Sequence, residues 1–476
     1  MKLIGLDIGT TSLCGVVVDT QTSAIVDQKT RSNDASVAGE GHAYLQDASR
    51  IFSIVQDIVQ ELLGRHRDVA AVCVSGQMHG VLYLDKDGRP VSPLFTWLDG
   101  RGNLHCDGKR TYRDAFAGLT GYEVPTGYGL LTHFVNVQKG EVPSDAAALC
   151  TIADYVTAKL ANIAHPVTEP TLAASLGVFD LVKSRFDEEA LLRAGIRPMM
   201  LPTVVPSCTV VGHMDDGVQV VTGVGDNQAS HIGSVQSLAD TLLVNVGTGA
   251  QLSLMVHEHV SVPGFETRPF PGNRYLLVSA TLGGGKSYAL VESFFRQVLE
   301  LCGVATQEPQ YGAMDHLLAK ASQENLRNDS RQRSGSGAAP GALVHTTLTV
   351  SPQFYGTRED PSSRGAITNI SEDNFTPLDL MVGVLDGIAI ELHQYVKALP
   401  GTLQMNIKHL VGAGNAIRKN VYLASIVQDI FGRSLLVPRH REEAAVGAAL
   451  CAGVGVGAYE SFNEAAADVI DYALPS

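Results

Sequence analysis

Two stretches of the chain place runs of β-branched and other apolar residues on either side of a short Gly-Thr turn, and they stand about half a chain apart. In residues 3–19, apolar runs flank the turn Gly9-Thr10-Thr11-Ser12. In residues 241–254, the run ending Val244-Asn245-Val246 meets Gly247-Thr248-Gly249 and then a second apolar strand. Each pattern predicts a β-hairpin, with glycine supplying backbone freedom at the turn. Their wide separation predicts a duplicated domain rather than a short-period repeat. Between and after them, strand and helix patterns alternate. Residues 69–75 form a short apolar strand ending at Gly76, and residues 409–411 form another running into Gly412. Residues 153–160, 287–301 and 378–398 carry apolar positions at helical spacing. This alternation predicts α/β layers, with one domain over 1–235 and a second over 236–476.

Composition narrows the class of protein. With 45% hydrophobic and 18% charged residues, the chain reads as a soluble globular protein. A net charge of −14 argues against a nucleic-acid surface, which needs clustered Lys and Arg. It leaves nucleotide binding open, because backbone N–H groups and a cation can hold phosphates locally. The seven cysteines are scattered and never spaced C-x-x-C, so reduced thiols in a cytoplasmic protein are expected. Residues 444–459 are apolar and charge-free but shorter than a membrane span, and rich in Gly and Ala, which predicts a tightly packed buried helix. The segment 331–341 reads as a polar loop.

Three places can carry chemistry. The two turns offer backbone N–H groups and the hydroxyls of Thr10, Thr11, Ser12 and Thr248, with Gly247 and Gly249, to a common anion. Asp7, just before the first turn, would repel a phosphate unless a cation lay between, which points to Mg²⁺ held through water. The third place is Gly223-Val224-Gly225-Asp226-Asn227 after the apolar run 218–221, which puts a carboxylate at a strand end. The competing reading of Asp226 is a helix cap. Residues 280–287, Ala-Thr-Leu-Gly-Gly-Gly-Lys-Ser, fit only a relaxed phosphate-loop pattern, since the strict form needs Gly where Ala280 stands.

Taken in order, Asp7-Ile8-Gly9-Thr10-Thr11-Ser12, Gly225-Asp226-Asn227-Gln228-Ala229, Gly247-Thr248-Gly249 and Gly412-Ala413-Gly414 resemble the FGGY carbohydrate kinases of the actin/hexokinase/Hsp70-type ATPase group. The resemblance implies two ribonuclease H-like domains, with sugar bound mainly by the first and ATP mainly by the second. It implies Asp226 as catalytic base, Asp7 toward Mg²⁺, and Gly284, Gly285, Gly414, Asn415 and Asn420 beside the nucleotide. Ser75-Gly76-Gln77-Met78-His79-Gly80 and Thr96-Trp97-Leu98-Asp99-Gly100-Arg101 resemble the family's sugar segments. They imply Gln77, Met78, His79, Trp97, Asp99, Arg101 and Asn227 as substrate contacts, although a lone tryptophan is also an ordinary core anchor and Asp99 with Arg101 an ordinary ion pair.

Four segments, the Gln-Met-His loop, residues 96–101, residues 173–179 and residues 353–358 before Pro361, resemble the sedoheptulokinase branch more than glycerol kinases, and xylulokinases share the first two. The implied reaction is phosphorylation of a ketose's terminal hydroxyl, sedoheptulose first and xylulose second. Departures fall at 130–134, where many members carry Trp, and at Glu169, where Asp is usual; both are expected to border the cleft. The rival readings are a non-catalytic ATP-binding protein of the same group and a sugar-responsive binding protein without turnover. Neither nucleic acid nor membrane is an expected partner. The sequence is silent on oligomeric state, a homodimer being compatible with it.

Overall fold

The computed structural model describes residues 1–473 except 305, 333–344, 358, 359 and 361. The polar segment 331–341 therefore falls outside the described residues from 333 onward, as do Arg358 and Pro361 of one sedoheptulokinase-like segment.

Both predicted hairpins form, and each seeds a sheet. In the first half, β1 (Lys2–Ile8), β2 (Ser12–Asp19), β3 (Ala24–Ser32), β4 (Val69–Gly76), β5 (Val210–His213) and β6 (Gln219–Gly225) lie in the order β5-β6-β4-β1-β2-β3. In the second, β7 (Thr241–Val246), β8 (Ala250–Val256), β9 (Glu266–Phe270), β10 (Arg274–Thr281), β11 (His409–Ala413), β12 (Leu435–Pro438) and β13 (Tyr472–Ala473) lie in the order β9-β10-β8-β7-β11-β12-β13. The cores of the two sheets match. A central strand pairs antiparallel with its hairpin partner and parallel with the strand that follows a crossover, β1 with β4 and β7 with β11. Asp7 and Asn245 thus hold equivalent positions, each two residues before the Gly-Thr of its turn.

Helices cover the outer faces. α1 (Ala48–Arg65) buries Ile51, Val55, Ile58 and Leu62 at helical spacing against the first sheet. The long helix Pro377–Ala398 buries Met381, Leu385, Ile388 and Leu392 against the second. The middle layer is exchanged between the halves. The helix Asp226–Ile232, from the first half, lies against the second sheet, where His231 Nδ1 meets Ser253 Oγ at 2.9 Å and Gln228 Nε2 donates to the Pro269 carbonyl at 2.9 Å. The helix Glu443–Gly455, from the second half, lies across β1 and β4.

Small residues allow this exchange. A Cβ at Gly5 would overlap the backbone of Ala445, and one at Gly447 would overlap the Ala229 carbonyl oxygen. The apolar run 444–459 is a buried helix only as far as Gly455, with Ala445–Gly453 enclosed throughout; residues 456–459 turn out of it. Among the described residues no helix is long and apolar enough to cross a membrane.

Candidate active site

The first hairpin carries its functional groups to the end of β1. Asp7 accepts a 3.0 Å hydrogen bond from Ser75 Oγ on the neighbouring β4, so parallel pairing of the two strands fixes it. The turn beyond is held from three sides. Gly9 N donates to the Ser12 carbonyl at 2.9 Å, Gln46 Nε2 to the Thr10 carbonyl at 2.9 Å, and Trp97 Nε1 to Thr10 Oγ1 at 3.1 Å. Thr11 and Ser12 remain exposed.

Asp226 begins its helix rather than capping it: the cap position is Gly225, and no side chain bonds there. Both Asp7 and Asp226 line one cavity of about 360 Å³, together with Met78, His79, Trp97 and Asn227 from the first half. The second half supplies Asn245, Gln251, Ser253 and Arg268. Burial raises Asp226 to about 6, with the Arg268 guanidinium opposing it. Burial, and next the charge of Asp226, raise Asp7 to about 7, against the Ser75 hydrogen bond; Glu442 and Glu443 add to the rise. Asp7 therefore faces carboxylates rather than cations, an environment suited to a metal ion. Among the described residues no three His, Cys, Asp or Glu side chains form a metal cage. A hard ion that keeps its waters needs only one or two carboxylates.

These two carboxyls bind protons more tightly folded than unfolded, so the stability they contribute falls as pH rises from about 4, the unfolded value, to about 7. Asp7→Asn removes one of them. In metal-free protein it should raise the melting temperature by several degrees at about pH 8 and much less at about pH 4, read by calorimetry. An equal shift at both pH values would contradict the assigned environment.

On the wall expected to face the sugar, His79 adopts a left-handed backbone (φ +74), uncommon for a residue with a side chain. It is held by Ser175, whose Oγ accepts from His79 N at 3.2 Å and whose carbonyl meets Nδ1 at 2.9 Å. Its ring stacks on Tyr128 with centroids 4.0 Å apart. Met78 is buried above Gly225, where any added side chain would strike its sulfur. Trp97 is 45% exposed at the cavity, so it is not a core anchor.

Other expected sugar contacts stand back from the wall. Gln77 is buried and donates to Gln46 Oε1 at 2.8 Å, joining the loop 75–80 to the residue that holds the first turn. Asp99 is fully enclosed; Arg101 Nε donates to its Oδ1 at 2.7 Å, and the same guanidinium also bonds Asn136 and lies 4.2 Å from the centre of the Phe95 ring. These two residues brace the Trp97 loop instead of facing the cavity, because each charge is satisfied by the other where water is excluded. The departures also lie behind the wall. Leu130, Leu131 and Phe134 are core residues of the helix Gly129–Lys139. Glu169 caps the helix Pro170–Leu176, accepting from the backbone of Thr171 at 2.9 Å and Leu172 at 3.0 Å.

The glycine loops of the second half meet one another. Gly285 N donates to the Gly247 carbonyl at 2.8 Å and Lys286 N to the Thr248 carbonyl at 3.1 Å. A Cβ at Gly284 would overlap Gly249, and Gly414 (φ +84) passes against Asn245 and Val246. Asn415 opens the short helix beyond Gly414, and Asn420 caps the next one, accepting from Leu423 N at 2.9 Å. Arg418 ties this group to the exchanged helix through Glu443 at 2.6 Å.

Sequence reasoning missed Tyr128, Arg268, Asn245 and Gln251. Asn245 was available from aligning the two hairpins, since it falls where Asp7 does. Arg268 had no such signal: it comes from an edge strand with no motif, yet its Nη2 meets Glu266 at 2.7 Å and its Nε is enclosed with no hydrogen-bond partner among the described residues.

Residues 2–242 match the FGGY family of carbohydrate kinases, N-terminal domain, and residues 242–456 match its C-terminal domain. A sedoheptulokinase of Homo sapiens is 27% identical over 94% of this chain and 96% of its own length, and a xylulose kinase of Staphylococcus xylosus is 24% identical over 97% and 92%. The crystal structure of xylulose kinase from Rhodospirillum rubrum superposes with a TM-score of 0.80 at 19% identity, covering 99% of this chain and 93% of that one. Two sheets of matching topology around a shared cleft define an α/β protein of the actin/hexokinase-like class. The chain belongs to the FGGY family of carbohydrate kinases, enzymes that use ATP.

Proposed function

We propose that the protein transfers the γ-phosphoryl group of ATP to the terminal hydroxyl of a ketose, sedoheptulose in first place and xylulose in second. The observation that carries this reading is the single cavity bearing Asp7 and Asp226 together with Met78, His79, Trp97 and Asn227. Asp226 accepts the proton of the attacking hydroxyl, and His79, Asn227 and Trp97 orient the sugar chain. The turns at 9–12 and 247–249 offer N–H groups and hydroxyls to the triphosphate, with Gly284, Gly285, Gly414, Asn415 and Asn420 alongside the nucleoside. Asp7 would hold Mg²⁺ through water, and the ion, when bound, neutralises charge on the phosphate oxygens. The xylulose reading is supported by the Staphylococcus xylosus relative, close in identity to the human sedoheptulokinase.

The test is ADP release, coupled to NADH oxidation, across a panel of ketoses and polyols. Sugar-dependent release greatest with sedoheptulose supports the reading; ATP binding with no sugar dependence rejects it in favour of a non-catalytic ATP-binding protein. His79→Ala should raise the sugar KM about tenfold or more while changing the ATP KM little, as expected for loss of a substrate-orienting hydrogen-bonding group. The reverse pattern would move His79 to the nucleotide side.

A further inference from the structure

Beside the catalytic cavity lies a larger one, of about 620 Å³, that the proposed chemistry does not use. The two share Met78, His79 and Arg268, so they adjoin at the residues that orient the sugar. Its walls come from both halves. Tyr122, Tyr128 and Asp180 face it from the first, and His259, Glu266 and Arg268 from the second. Two hydrogen bonds span the halves at its margins, Tyr128 Oη to Glu266 at 3.3 Å and Tyr275 Oη to the Leu181 carbonyl at 3.3 Å.

The lining chemistry is that of a neutral polyhydroxylated ligand. Tyrosine faces pack against the C–H groups of a sugar, and carboxylates accept from its hydroxyls. Arg268, with an enclosed and unpartnered Nε, stands where a chain passing from one cavity to the other would run. Arg268 is already paired with Glu266 at 2.7 Å and Asp180 with Lys183 at 3.1 Å, while Glu123 adds a further negative charge, which disfavours a phosphorylated or acidic distal end. A site of about 300–1,000 Å³ is usual for a small ligand, so the smaller cavity alone is at the low end of the range.

We propose that the larger cavity is the distal part of the acceptor site, holding the hydroxylated carbons of a long-chain neutral ketose whose terminal hydroxyl meets Asp226. This rests on the kinase reading above and deepens it. Acceptors that reach the second cavity are favoured over pentuloses, whichever particular ketose is the natural one.

The experiment compares xylulose, fructose and sedoheptulose by coupled ADP release, and measures the binding of xylulose and sedoheptulose by calorimetry. For the wild-type protein, kcat/KM for sedoheptulose should exceed that for xylulose about tenfold or more. Ala174→Phe, which fills the larger cavity, and His259→Ala, at an exposed residue of its far wall, should each shrink that ratio at least several-fold. A preference for xylulose, or a ratio unchanged in both folded variants, overturns the proposal while leaving a carbohydrate kinase. If no ketose releases ADP but sedoheptulose binds more tightly than xylulose, and Ala174→Phe abolishes the difference, the distal site stands and the kinase reading falls.

Discussion

Asp226→Ala is expected to lower kcat by about 10²- to 10⁴-fold, the contribution of a well-placed general base. The sugar should still bind within a few-fold of its wild-type affinity, because Met78, His79, Trp97 and Asn227 remain on the wall. The expectation follows from where the carboxylate sits. It projects from the first turn of a helix into the cavity, with the Asn227 backbone N–H as a hydrogen-bond donor to it. Burial raises it to about 6, and Arg268 keeps it from rising further, so it is mostly ionised and basic near neutral pH. Rapid-quench kinetics for turnover and calorimetry for sugar binding separate the two effects. Wild-type turnover in the variant would remove Asp226 from the mechanism, and loss of sugar binding in equal measure would make it a binding residue only.

Gly447→Val should damage the protein through a different route. The side chain would overlap the Ala229 carbonyl and the backbone around it, where the two exchanged helices cross. Overpacking a core side chain costs about 1–3 kcal/mol, and the cost here should reach or exceed the top of that range because backbone cannot rotate away. Ala229 is three residues from Asp226 on the same short helix, so any displacement reaches the Asp226 carboxylate. We expect a fall of many degrees in melting temperature and a loss of activity larger than the loss of folded protein. Gly118→Ala is the control: it lies in the helix Tyr112–Thr120 with open space around its Cβ position, and should be neutral or stabilising by about 0.5–1 kcal/mol. Similar melting for both variants would refute the close-packed crossing.

The hairpins and most strands and helices were legible because each has a local cause: glycine at a turn, apolar residues at a period of two or of 3.6. The predicted helix at 287–301 begins two residues earlier, at Gly285, and that at 378–398 one earlier, at Pro377. What could not be read was which sheet each middle helix covers. Residues 444–459 announce burial by composition, but hydropathy carries no information about the partner surface. Asp99 and Arg101 mark a second limit. A carboxylate beside a guanidinium satisfies a sugar-site pattern and a buried brace equally well in sequence, and only their enclosure distinguishes the two. Tyr128 and Arg268 are a third case, brought to the site by long-range packing from segments without a motif.

The exchange of middle helices has a bearing on how the chain is made. β1 and β4 leave the ribosome well before the helix that shields one face of them, Glu443–Gly455, which lies more than 360 residues further along the chain. At about 5–20 residues per second, that apolar face stays bare for between about 20 and 75 seconds. The nascent first half must therefore be kept from sticking to its neighbours until that helix has been made.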